Sequence, residues 1–287
     1  MSVSKMKYDR FKFLKVRIDQ GVAFVTIDNP PMNLLNMELT GEFNRLQKKI
    51  AKDDEVRVVV FNSADPDFFI AHYDVSELVI LPDESPPKID VLFGLHPVCE
   101  AFRTMPKVSI AKLEGLARGG GSEFVLSLDM RFGAIGKAII SQPEIILGII
   151  PGGGGTQRLP RLIGRSRAME AIVGGIDFPA ELAEKYGYIN RAFPPDELTS
   201  YVEDLAYRIA SFPAESIAIA KQAVLTALEQ PIVEGLLEES YLFLKSCALP
   251  IAKERMNWFL QRDGQTREKE LDQSGLLKEF KEWKSGK

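Results

Sequence analysis

Cysteine is scarce in this sequence. Cys99 and Cys247 are the only two in 287 residues, and they stand far apart with neither CxxC nor metal-ligand spacing. That argues against a disulfide framework and for a reducing compartment. Long apolar runs are missing as well. No stretch approaches the roughly 20 residues needed to span a bilayer, and the opening MSVSKMKYDR has no apolar core of the secretory kind. The expectation is a cytoplasmic protein with no membrane partner. Positive charge is not in excess either. A net charge of −4 speaks against sequence-independent nucleic-acid binding. There is no internal repeat and no low-complexity segment. What the chain does have is apolar side chain, at 45% of residues, enough for one large domain or a core with an appendage.

The informative stretch runs from Gly115 to Arg161. Gly119, Gly120 and Gly121 follow an apolar run and precede Ser122-Glu123-Phe124-Val125-Leu126, which reads as a helix opening. Glycines let backbone approach a ligand closely, and a helix N-terminus offers unpaired N–H groups to developing negative charge. Glu123 stands in that first turn, and Glu144 follows Gln142-Pro143. Two carboxyls in one pocket can handle one water and its protons. Taken singly, a glycine triplet is ordinarily a tight turn, and a first-turn Glu is ordinarily a solvated residue matched to the helix dipole. A second cluster, Pro151-Gly152-Gly153-Gly154-Gly155-Thr156, lacks the Gly-Lys-Ser/Thr ending of a P-loop.

GGGSE followed by SQPEIILGIIPGGGGTQRLPRLIGRSRAME resembles the core signature of the crotonase superfamily, the enoyl-CoA hydratases and isomerases. The similarity extends, more weakly, from about Phe11 to about Gln261. It implies an α/β fold, a crotonase-type spiral of ββα units spanning 1–197. A helical region, 198–287, would cover the active site and mediate assembly as a homotrimer or dimer of trimers. The implied ligand is an acyl-CoA thioester, with no metal and no separate cofactor, since coenzyme A is part of the substrate. Glu123 and Glu144 align with the family's two catalytic glutamates. The implied oxyanion hole is formed by the backbone N–H groups of Tyr73 and Gly120. Met32, Leu34, Ala71, His72, Asp74, Gly119 and Gly152 fall at substrate-binding positions. Keeping both glutamates favours hydration of a 2-enoyl-CoA over double-bond migration. The alternatives are an isomerase, a β-diketone or C–C bond hydrolase using a His-assisted water, and a catalytically weak CoA-ester-binding member. RNA binding, known in one branch, conflicts with the acidic balance.

One position departs from the pattern. His72 stands where the family typically has Gly in Ala-Gly-x-Asp, and a residue with a Cβ disfavours positive φ. If that loop requires positive φ, the Tyr73 amide is expected to be displaced.

Along the chain, Phe11 to Ile18 and Val22 to Ile27 read as a hairpin turned at Asp19-Gln20-Gly21. Leu39, Phe43, Leu46 and Ile50 predict an amphipathic helix from about Met37. Val56–Phe61 and Val108–Leu113 read as buried strands. Leu81–Pro87 reads as a mobile loop, and His96 opens a helical stretch with no special role. Arg158, Arg161, Arg165 and Arg167 read as a solvated helix face, or as contacts to CoA phosphates or a neighbouring subunit. Helices dominate from Leu198, and the charge-rich tail after Arg262 has Phe280 and Trp283 to anchor it.

Overall fold

The structure is a computed structural model that describes residues 8, 10–84, 87–88 and 90–285. Ser85 and Pro86 of the expected mobile loop, and the last two residues of the tail, lie outside the described residues.

Strand β1 (Leu14–Asp19) folds back on β2 (Val22–Ile27), with Leu14 opposite Ile27. Gln20 and Gly21, at φ 45° and 82°, make the two-residue turn, a geometry matched to the twist of paired strands. Strands β3 (Val58–Ser63), β5 (Val108–Leu113), β7 (Met130–Ala134) and β10 (Arg191–Phe193) join in parallel, giving the order β1-β2-β3-β5-β7-β10. These strands are nearly continuous apolar runs because both faces of the sheet are covered.

A second, four-stranded sheet has the order β4 (Phe68–Ile70), β6 (Leu116–Arg118), β8 (Ile139–Ser141) and β9 (Phe178–Pro179). The sequence reading assigned no second sheet. Its strands are two or three residues long, too short for alternation to show.

Helix α1 (Met37–Ala51) starts at Asn36, whose side chain accepts from the Leu39 N–H at 2.9 Å. It buries Leu39, Phe43, Leu46 and Ile50. Short helix α2 (Val75–Leu78) follows β4, and α3 (His96–Thr104) precedes β5. Helix α4 (Gly120–Leu126) begins directly after β6. Phe43, Phe61, Phe102 and Phe124 interlock, with Phe43 and Phe124 stacked at 4.4 Å and Phe61 edge-on to Phe124 at 5.2 Å. Phe124 belongs to α4, so the cluster pins the helix that also carries Glu123.

A 3₁₀ turn (Glu144–Leu147) follows β8, then α5 (Gly155–Ile163), α6 (Arg165–Gly174) and α7 (Ala180–Tyr186). Helix α8 (Pro195–Ala210) lays Leu198, Val202, Ala206 and Ala210 against Val22, Phe24, Val58, Val60 and Ile110. It covers the second face of the large sheet, so the first compact unit runs to Ala210 rather than ending at 197. The composition shift at Leu198 marks the start of a helix that still belongs to the sheet.

The second unit, from Ser211, is all helical: α9 (Ala214–Thr226), α10 (Ile232–Ala248), α11 (Pro250–Leu260), α12 (Arg267–Leu271) and α13 (Gln273–Ser285). Within it Phe280 and Trp283 pack on Trp258, at 5.1 and 5.8 Å between ring centroids. Among the described residues no helix is long and apolar enough to cross a membrane.

Candidate active site

The site is built where α4 leaves β6. Gly119, at φ 49° and ψ −123°, makes the bend; its N–H extends the β6–β8 pairing by donating to the Ser141 carbonyl at 3.0 Å. Its own carbonyl accepts the Glu123 N–H at 2.9 Å. The Gly120 N–H, first in the helix, has no hydrogen-bond partner among the described residues. A Cβ at Gly120 would stand 3.1 Å from Tyr73 Cβ and 3.5 Å from Tyr73 N, so the two backbones meet here.

Tyr73 is presented by a short parallel bridge to Leu35. The Leu35 N–H donates to the His72 carbonyl at 2.9 Å, and the Asp74 N–H donates to the Leu35 carbonyl at 2.8 Å. Alternation along an extended backbone then turns the Tyr73 N–H away from Leu35, and it too lacks a partner among the described residues. In both peptide units, the carbonyl is already hydrogen-bonded while the N–H is free. Such chaining strengthens the free donor.

The loop carrying Leu35 is clamped by two buried asparagines. Asn33 Oδ1 accepts the Asn29 N–H at 2.7 Å, and Asn33 Nδ2 donates to Ser63 Oγ at 2.8 Å. Asn29 Nδ2 donates to the Leu34 carbonyl at 2.8 Å. Met32 and Leu34 are half-buried here, and the Met32 carbonyl accepts from the buried Ala71 N–H at 3.3 Å. Asp74 caps α2 through bonds from the Ser76 N–H and Oγ–H, at 2.9 and 2.7 Å. Those bonds hold its carboxyl below the ordinary range. Burial and a bond to Glu77 push the Tyr73 phenol up to about 12.

His72 does not adopt positive φ. The conditional expectation of a displaced Tyr73 amide therefore does not arise, because the loop here needs no conformation that a Cβ forbids. The imidazole Nδ1–H donates to the Tyr73 carbonyl at 2.8 Å.

Glu123 is buried, 3% exposed. Its Oε1 accepts the N–H groups of Gly153 and Gly155 at 2.6 and 2.8 Å. Burial pushes its carboxyl above the ordinary range, and the two amides, His96 and Arg158 offset only part of that rise. The glycine cluster at 152–155 is thus a cradle for a carboxylate of the protein itself. Gly152, by contrast, is exposed, with open space where a side chain would stand.

Glu144 enters from the 3₁₀ turn after β8. Its Oε1 lies 3.1 Å from where a Gly119 Cβ would be, and its Oε2 is buried without a partner. Burial, with the nearby Glu123 charge adding to it, raises its carboxyl to about 7 against the relief from its own backbone N–H.

The two glutamate-bearing elements are tied together. Ser122 Oγ and Tyr188 OH are 2.7 Å apart, and Gln142 Nε2 donates to Ser122 Oγ at 2.8 Å. Sequence reasoning passed over Gln142, Ser122 and Tyr188; the signal was a polar Gln in the run IISQPEII. His96, read as unremarkable, donates from Nδ1 to the Phe93 carbonyl at 2.9 Å and stands near enough to lower the proton affinity of Glu123. Arg158, read as part of a solvated face or an external contact, is turned inward and paired with Glu100.

A buried carboxyl, a second one raised toward neutrality and two unpaired amides, one of them at a helix N-terminus, are groups that can move protons and donate to an anion. The chain belongs to the enoyl-CoA hydratase/isomerase family, whose model matches residues 17–266. It is 35% identical to a probable mitochondrial enoyl-CoA hydratase of Dictyostelium discoideum, over 84% of this chain and 85% of that one. It is 32% identical to a short-chain-enoyl-CoA hydratase of Clostridium acetobutylicum, over 84% and 92% respectively. Among solved structures, an enoyl-CoA hydratase from Bacillus anthracis superposes with a TM-score of 0.80 at 27% identity. That match covers 88% of this chain and 97% of the other.

Proposed function

We propose that this protein is an enoyl-CoA hydratase that adds water across the double bond of a 2-enoyl-CoA thioester. The observation that carries this is that Glu144 reaches the Gly119–Gly120 bend and feels the charge of Glu123, beside the free amides of Tyr73 and Gly120. The thioester carbonyl oxygen accepts those two N–H groups. As water adds to Cβ, charge gathers on that oxygen, and the amides stabilise it more strongly than they stabilise the substrate. Removing one such donor typically costs about 3–4 kcal/mol of barrier.

The carboxyls divide the proton work. Two amide donors favour the charged form of Glu123, so Glu123 is the base that takes a proton from water. The hydroxyl oxygen bonds to Cβ, and the double-bond electrons move toward the carbonyl. Glu144, with no donor on Oε2 and a proton affinity near neutrality, delivers its proton to Cα. The product is the 3-hydroxyacyl thioester. No separate cofactor takes part, since every step is a proton transfer or an addition.

Met32, Leu34, Ala71, His72, Asp74, Gly119 and Gly152 are proposed to bound the thioester. The hydrolase reading requires His72 to assist a water; with Nδ1–H held by the Tyr73 carbonyl, Nε2 is the ring atom that would do so. We further propose self-association, as a trimer or a dimer of trimers. The second unit by itself leaves Leu228, Ile232, Val233, Leu237, Phe243 and Leu244 at least 60% exposed, more than a monomer ordinarily shows water. Loss of enoyl absorbance across a panel of 2-enoyl-CoA thioesters tests the activity. Absence of turnover on every member, with thioester binding retained, would replace the hydratase with a binding protein. Sedimentation tests the assembly, and a stable monomer at micromolar concentration would refute it.

A further inference from the structure

Arg158 sits where helix electrostatics argue against it. It lies in the first turns of α5, and the positive end of a helix disfavours a cation. Its side chain nonetheless folds back toward that end and is largely buried, with 15% of the side chain exposed. Nη1 donates to the Gly153 carbonyl at 3.0 Å. Nη2 pairs with Glu100 Oε1 on α3, while Glu100 Oε2 accepts from Arg103 Nε at 2.9 Å. Room for the guanidinium exists only because residue 154 is glycine: a Cβ there would lie 1.7 Å from Arg158 Nη1, and φ at this position is 118°. A buried charge placed against a dipole, with a glycine cut away to admit it, is a local cost that needs a return elsewhere.

The return lies one residue away. Gly153, whose carbonyl Arg158 holds, donates its N–H to Glu123 Oε1. Arg158 thus ties off the carbonyl side of the loop whose amide side grips the carboxylate, and Glu100 fixes the guanidinium to α3. A Lys could supply the charge but not two directed donors in one plane.

We propose that Arg158, braced by Glu100, is a positioning residue that keeps the 153–155 loop closed on Glu123 and so holds Glu123 as the ionised base. This rests on the reading of Glu123 as the base. The charged and titratable groups whose charge reaches Glu123 or that it influences are His96 and Cys99 on α3, Glu144 on the 3₁₀ turn, Tyr188 and Arg158 itself, while Glu100 acts on Cys99 and pairs with Arg158.

The test is the pH profile of kcat on 2-butenoyl-CoA for the wild type, Arg158→Gln, Arg158→Lys and Glu100→Gln. Backbone hydrogen exchange over 150–159 is followed in the same proteins. For Arg158→Gln the expectation is a kcat loss of ~10-fold or more with KM within about twofold. The acidic limb should move to higher pH, because Glu123 becomes harder to ionise, and the Gly153 and Gly155 amides should exchange faster. Arg158→Lys should recover part of the limb's position. Glu100→Gln keeps the Gly153 bond and should shift the limb the same way by less, which preserves the test if Arg158→Gln does not fold. An acidic limb unchanged in both Arg158→Gln and Glu100→Gln overturns the proposal, whatever happens to total activity. If Arg158→Gln does not fold, an unchanged limb in Glu100→Gln overturns it alone. A wild type inactive on this and every other 2-enoyl-CoA defeats the hydratase reading instead. Exchange then decides alone: faster Gly153 and Gly155 exchange in the variants upholds the clamp, and unchanged exchange overturns it.

Discussion

The two glutamates come from two differently made places. Glu123 rides a helix pinned by four interlocked phenylalanines, and its carboxyl is gripped by two loop amides. Glu144 stands on a single 3₁₀ turn, followed by the exposed Ile146, Leu147 and Ile150, with one carboxyl oxygen unpartnered. Identical chemistry in the side chain therefore meets opposite surroundings. Burial raises both carboxyls, but two amides oppose it at Glu123 and favour the anion there, while Glu144 Oε2 has no partner and the held proton is favoured. Two carboxyls pushed apart in this way can act as base and acid on one water.

The largest effect should come from removing either carboxyl. Glu123→Gln and Glu144→Gln are each expected to lower kcat by ~10²-fold or more, with the double variant losing less than the product of the two. Additive losses of a few-fold would mean the pair does not act as a unit. A narrower probe is aimed at the grip on Glu123. A Cβ at Gly153 would lie 2.7 Å from Glu123 Oε2 and 2.8 Å from Leu95 Cδ2. Gly153→Ala should therefore cost ~10-fold or more in kcat with KM nearly unchanged. Wild-type turnover in that variant would show that the cradle is dispensable.

His72→Gly should matter less, with turnover retained within about tenfold, because no backbone strain is relieved and the oxyanion needs only amides. A loss of ~10³-fold with thioester binding intact would give the imidazole a chemical part and favour a His-using hydrolase.

The smallest effect is on stability. The Glu144 carboxyl is raised in the folded chain from an ordinary 4.5 to about 7. Below 4.5 the group is protonated in both states and costs nothing. Between 4.5 and about 7 the folded state binds more protons, so stability falls as pH rises, and the whole cost is present above about 7. Glu144→Gln should thus be more stable than wild type at pH 8 by on the order of 1–3 kcal/mol and level with it near pH 4. Equal melting points at pH 8 would place the carboxyl in water.

Much of this was legible in the sequence, and the limits have physical reasons. Long periodic segments such as Leu39–Ile50 and the Val108–Leu113 strand announced themselves by burial pattern. The second sheet did not, because three-residue strands such as Leu116–Arg118 carry no periodicity. Resemblance to a family motif brought out Glu123 and Glu144. It could not reveal that the 152–155 glycines cradle Glu123, since that contact joins residues about 30 apart in the chain. Arg158 was misjudged for a similar reason. Its helical position fits an exposed face, and only the missing Cβ at Gly154 lets the side chain fold inward.

The most direct test of the account is a carboxyl ¹³C titration of glutamate-labelled protein, with Glu123 and Glu144 assigned from their Gln variants. With Glu123 as base and Glu144 as acid, Glu144 titrates near pH 7 and Glu123 loses its proton first, its two amides opposing the burial that raises it. A Glu123 carboxyl that stays protonated through neutrality while Glu144 ionises in the ordinary acidic range would contradict it.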